Sequence, residues 1–160
     1  MANTYELALR EVARQVQAIG TTRLFSDPIQ VRELDWDDVV KVGGATIRYD
    51  LNAIREDQSA TNERDVYGYP CILVLAQGWR AQFVDDISAG ADFLHRIRAH
   101  FHNRRTMTYG ETSFGPGINQ LPTTMTSGPH PPNKYSDKKI VTRTIWAWFL
   151  EPRSTESFPA

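Results

Sequence analysis

Apolar side chains recur with a helical period at the start of the chain. Tyr5, Leu9, Val12, Val16 and Ile19 are spaced four, three, four and three apart, which stacks them on one stripe of an α-helix. Asn3, with Glu6 three residues on, supplies the two halves of a capping box, and Gly20 stands where such a helix would stop. The stripe lasts about two heptads, too short for a coiled-coil seam, so it predicts a helix packed on a core.

The period then shortens. Ile29 and Val31 alternate with Gln30 and Arg32 after Asp27-Pro28, predicting a short strand that follows a turn. Val39 to Val42, the Gly43-Gly44 pair and the alternating run Ala45 to Leu51 predict a half-buried hairpin with Ile47, Tyr49 and Leu51 on its inner face. Asn52 to Asp65 is polar and without a period, which predicts an exposed loop. Tyr69 to Ala76 is almost continuously apolar between Gly68 and Gln77-Gly78, the pattern of an inner strand covered on both faces.

A second helix is expected to begin between Asp85 and Ser88 and to run to Asn103, with Ile87, Ala91, Leu94, Ile97 and Phe101, joined by Phe93, on its apolar face. Its acidic start and basic end suit the helix dipole. Residues 106–137 are rich in Gly, Pro, Ser and Thr and predict one long extended loop. Connections beyond about 15 residues are uncommon unless they serve a function or stay disordered. This one also carries Tyr109, Phe114, Ile118, Leu121 and Met125, more apolar surface than a spacer needs, so it is expected to order against a neighbour. The last segment alternates Ile140, Thr142, Thr144, Trp146, Trp148 and Leu150 with Val141, Arg143, Ile145, Ala147 and Phe149. A strand apolar on both faces is either threaded into a sheet or covered by another molecule. Residues 154–160 are expected to be a flexible tail.

Composition narrows the picture. A chain of 160 residues suits one domain with its own core. Eighteen basic and nineteen acidic residues leave a net charge of −1, so no bulk attraction draws it to nucleic acid or an anionic membrane. Cys71 is the sole cysteine, which excludes an intramolecular disulfide, suits a reducing compartment and, in its apolar run, reads as a small buried hydrophobe. The opening MANTYELALREV interrupts any signal-peptide core with Glu and Arg, and no run approaches the roughly 18 apolar residues of a membrane span. A soluble chain made in the cytoplasm is expected.

Candidate chemistry is sparse. His95, His100 and His102 are spaced so that no pair falls four apart on a helix, and His130 lies among prolines, so no metal site is expected. The carboxylates of Asp35-Trp36-Asp37-Asp38 and Asp85-Asp86 project in different directions and are expected to stay solvated. None of the nucleophile-elbow, zinc-protease or phosphate-loop motifs is present, and no catalytic residue or cofactor is expected. Arg96, Arg98, Arg104 and Arg105 form either a DNA-facing cluster or a solvated basic helix end.

The order of elements, with Arg64-Asp65-x-x-Gly68-Tyr69-Pro70-Cys71-Ile72-Leu73-Val74, the helix Phe93 to Phe101 and the closing run Thr142 to Glu151, resembles the tail-terminator, or tail-completion, proteins of tailed bacteriophages and related neck proteins. The resemblance spans nearly the whole chain. It implies an α+β fold, a single domain with a mostly antiparallel sheet, two helices packed on one face and a long loop before the last strand. It further implies a virion structural protein without catalytic residues: a ring of identical copies, typically six, at the head–tail junction, touching the tail tube, the head connector or stopper and passing DNA. On that reading Tyr109, Phe114, Ile118, Leu121 and Met125 meet neighbouring subunits, Trp146 and Trp148 either pack against the helices or add to the ring interface, and Arg96, Arg98, Arg104 and Arg105 face the lumen. The segment 106–137 is longer and richer in proline than a minimal member needs, which keeps a neck or adaptor role open. From another class, a monomeric ligand-binding or enzymatic α+β domain would use that segment as a lid over a pocket, with His100 and Asp86 as polar groups to test.

Overall fold

The computed structural model describes residues 3–19, 28–57, 64–76, 87–102, 114–135 and 137–153. Helix α1 (Thr4–Ile19) begins where the cap predicts: Asn3 Oδ1 accepts the Glu6 N–H at 2.9 Å. There follow β1 (Gln30–Glu33), α2 (Trp36–Val42), β2 (Gly44–Tyr49), β3 (Arg55–Asp57), β4 (Arg64–Ala76), α3 (Ile87–Phe101), β5 (Asn119–Gln120), β6 (Thr124–Ser127) and β7 (Ile140–Pro152). Single 3₁₀ turns occupy Leu51–Ala53 and Asn133–Tyr135. The sheet runs β1-β2-β4-β7; β3 also pairs with β4, and β5 and β6 pair with the far side of β7. Every pairing is antiparallel except the parallel β1–β2. The fold is α+β with a mostly antiparallel sheet, as the resemblance implies.

The frame is the ladder between β4 and β7, unbroken from Arg64 opposite Pro152 to Ala76 opposite Ile140. Alternation then sorts the side chains. Tyr69, Cys71, Leu73 and Leu75 of β4 and Ile145, Ala147 and Phe149 of β7 point to one face, where the α1 stripe and Phe93, Ile97 and Phe101 of α3 bury them. On the other face Ile72, Val74 and Ala76 form a smaller cluster with Val39 of α2. The expected inner strand is therefore real and longer than its apolar run. The closing strand is threaded into the sheet.

Several expectations are corrected. Val39 to Val42 belongs to a helix and not to a hairpin strand. Asp35 caps it by accepting the Asp37 N–H at 3.0 Å, Asp37 and Asp38 sit at its positive end, and Gly43 stops it at φ 65°. Two glycines with positive φ thus separate a helix from a strand. Strand β2 is covered on both faces, and it ends before Leu51, because the Asp50 side chain accepts the Asn52 N–H and opens a 3₁₀ turn that leaves Leu51 67% exposed. The loop expected over 52–65 contains β3 and the start of β4. On α3 Ala91 is exposed, and Phe93, Ile97 and Phe101 make the packed face. The described part of segment 106–137 is not a free loop: it lays β5 and β6 along β7. Gly20, Asp85, Asp86 and residues 106–113 and 154–160 lie outside the described residues.

Candidate functional site

The residues singled out for partner contact can now be placed. Met125 stands opposite Ile145 and enters the main core at 8% exposure. Its neighbours Thr124 and Thr126 turn to the other face, where their hydroxyls accept the indole N–H groups of Trp148 (2.9 Å) and Trp146 (3.1 Å). The two indoles stack with centroids 5.7 Å apart, and the Arg55 guanidinium lies 4.5 Å over the Trp146 ring. The Leu121 N–H donates to Trp148 O at 2.8 Å, Phe114 tilts against Phe149, and Ile118 packs on the core. Tyr109 lies outside the described residues.

Of the two fates open to the aromatic strand, threading into the sheet is the one it takes; Met125 and Trp146 turn inward, while Phe114, Ile118, Leu121 and Trp148 stay partly exposed. Trp146 and Met125 are interior residues of one molecule, and the segment and the strand largely satisfy each other. The physical reason is pairing. Residues 124–127 alternate like a strand once they lie on the free side of β7, and that side needs hydrogen-bond partners.

Of the candidate lumen arginines, Arg96 pairs with Asp92 one turn back at 3.0 Å, Arg98 is exposed, and Arg104 and Arg105 lie outside the described residues. His100 Nε2 meets Gln15 Oε1 at 2.7 Å where α3 crosses α1, so it serves packing. His102 Nδ1 accepts the Met125 N–H at 3.1 Å. Among the described residues no group of three His, Cys, Asp or Glu is placed to hold a metal, and no helix is long and apolar enough to cross a membrane. Cys71 is fully buried, and burial pushes its thiol far above the ordinary range, which keeps it from forming a nucleophilic thiolate.

One polar cluster was not foreseen. Arg48, fully enclosed on the face of β2 that the alternation assigned to water, donates to Thr46 Oγ1 (2.9 Å), to Glu33 O (3.0 Å) and to the Asp38 carboxylate. Arg32 grips the same carboxylate through two bonds of 2.8 and 3.0 Å. Hydrogen bonds from Arg32 and then Arg48 hold Asp38 down to about 2. The solvated reading of the Asp35–Asp38 carboxylates is therefore corrected at Asp38. This cluster ties α2 to β1 and β2. Two buried phenols are hydrogen-bonded: Tyr5 donates to Pro70 O at 2.6 Å and accepts the Asp50 N–H, and Tyr69 donates to Glu151 at 2.7 Å.

An open cleft lies elsewhere on the described surface. A cleft of about 410 Å³ runs between the first turns of α1 and the end of the β1–β2 pair. Tyr5, Leu9, Val31, Tyr49 and Leu51 line it, and the paired Glu6 and Arg10 stand on its rim. Val31 is 36% exposed and Leu51 67%. No residue of the described part of the long segment lines the cleft, as a lid there would. Periodicity could not reveal it, because Val31 and Tyr49 come together only through the parallel register that sets Val31 beside Ile47 and Glu33 beside Tyr49.

No family model, no curated protein and no solved structure matches this chain.

Proposed function

We propose that this chain is a structural subunit of a tailed-phage head–tail junction, a ring-forming tail terminator or related neck protein. One observation carries the reading. The three stretches on which the resemblance rests, residues 64–74, 93–101 and 142–151, fall on β4, α3 and β7, and their side chains share one core, in which Phe93, Ile97 and Phe101 meet Cys71, Leu73, Ile145 and Phe149. Scattered likenesses in sequence thus become one packed unit of the kind the resemblance implies. Because Met125 and Trp146 are spent on that unit, the contact between copies belongs on surface that remains apolar and open, and the cleft bearing Val31 and Leu51 offers it.

The test is assembly. Light scattering on the purified chain, alone and mixed with purified tail tubes, is expected to find a ring-sized species or a capped tube, and Leu51→Asp is expected to abolish it without lowering thermal stability. A chain that stays monomeric at high concentration and adds to no tube overturns the proposal.

A second reading rests on the size of the same cleft, which falls within the roughly 300–1,000 Å³ of small-molecule sites. A monomeric ligand-binding domain would show saturable small-molecule binding that Leu9→Trp blocks, with no assembly under any condition.

A further inference from the structure

The geometry points to His102 as a protonation-sensitive latch that holds residues 121–127 against the C-terminal turn of α3. A backbone N–H can only donate, so the 3.1 Å contact from Met125 N to His102 Nδ1 requires that this ring nitrogen be unprotonated. The contact therefore determines both tautomer and charge: a neutral imidazole with its proton on Nε2. An imidazolium carries N–H on both nitrogens. Rotating the ring by half a turn does not restore an acceptor, so protonation removes this bond in every orientation of the side chain.

The latch sits where it has leverage. The Met125 N–H is spent on His102, on the side of β6 away from its partner β7, so the histidine covers the free edge of the strand. Two residues earlier the buried Thr123 hydroxyl donates to Phe101 O, the neighbouring group of the same helix end. The segment so held carries Met125 into the core and presents Thr124 and Thr126 to the two indoles. Loosening it uncovers the outer edge of β7.

The surroundings give an imidazolium no compensating charge among the described residues. Residues 118–127 contain no titratable side chain. On α3 the neighbours are the exposed Arg98, whose carbonyl accepts the His102 N–H, and His100, which turns to Gln15 of α1. On β7 the nearest charged position in register is Arg143, opposite Ser127. Among the described residues no carboxylate is placed against the ring to hold an added positive charge.

Hydrogen exchange read by NMR on the full chain tests the latch. Between pH 8 and pH 5.5, after correction for intrinsic exchange, Met125 amide protection is expected to fall roughly 2- to 10-fold, the size of one lost hydrogen bond. The fall should share its midpoint with the titration of the His102 ring signals, while amides of β4 keep their protection. His102→Asn, whose Oδ1 accepts but does not titrate, is expected to hold protection at both pH values; His102→Leu is expected to lose it at both. Met125 protection that ignores the His102 titration, or an Asn variant that loses protection with acid as the parent does, overturns the inference. The outcome is independent of whether the chain assembles.

Discussion

The Trp148 indole lies across the backbone of Gly68, its register partner on β4, so closely that a Cβ at position 68 would fall 2.4 Å from Trp148 Cζ3 and 2.7 Å from Cε3. The glycine is there to let the ring lie flat, beside Trp146 and within reach of the Thr124 hydroxyl. Gly68→Ala is expected to lever the ring off the sheet and break the bond to Thr124, a loss of about 2–3 kcal/mol in urea denaturation. A change below about 0.5 kcal/mol, in the range of ordinary surface substitutions, would show that the indole moves aside freely.

Asp38 holds two arginines, one of them fully buried, so removing the carboxylate strands a buried cation. Asp38→Ala is expected to cost about 3 kcal/mol. Arg48→Met, which removes the stranded charge and fills its volume, should be near neutral by itself and should make the Asp38 change much milder. A double-mutant cycle measures the coupling, and additivity would refute it.

The same carboxylate sets an acid limit. Its folded titration is held down to about 2 against an ordinary 3.8, so its contribution is complete above about pH 5 and drains away between about 5 and 1. Stability curves of the parent and of Asp38→Asn are expected to converge as pH falls through that window. Curves that stay parallel would assign the acid loss to other groups.

At high pH the buried phenols take over. Burial raises Tyr5 and Tyr69 well above their ordinary 10, with Glu151 adding to the rise at Tyr69. Both stay neutral in the folded chain, so stability is intact below about pH 10 and falls as the unfolded phenols begin to ionise. Tyrosinate absorbance near 295 nm from these two rings should therefore appear together with unfolding. Ionisation of all six tyrosines before any loss of circular dichroism would contradict the burial.

Much of the frame was legible from residue periods. The stripe from Tyr5 to Ile19 and the cap at Asn3 follow from helical geometry alone, and the apolar run of β4 announces its two covered faces. Val39 to Val42 misled because a short apolar run looks alike in a helix and a strand, and the deciding signal was the Asp35 cap ahead of it. Arg48 misled because alternation assigns a charged residue to water, whereas this one finds Asp38 across the fold.

Local chemistry along the chain was enough to specify which segments coil, which extend, and that a single α+β core forms, since those preferences act over a few neighbouring residues. Register and long-range pairing lay beyond its reach. That residues 124–127 lie on β7, that Val31 and Leu51 border one cleft and that His102 meets Met125 depend on contacts between distant positions. Such contacts form only when the whole core closes, because the gain from each is too small to offset, in isolation, the entropy of bringing its partners together.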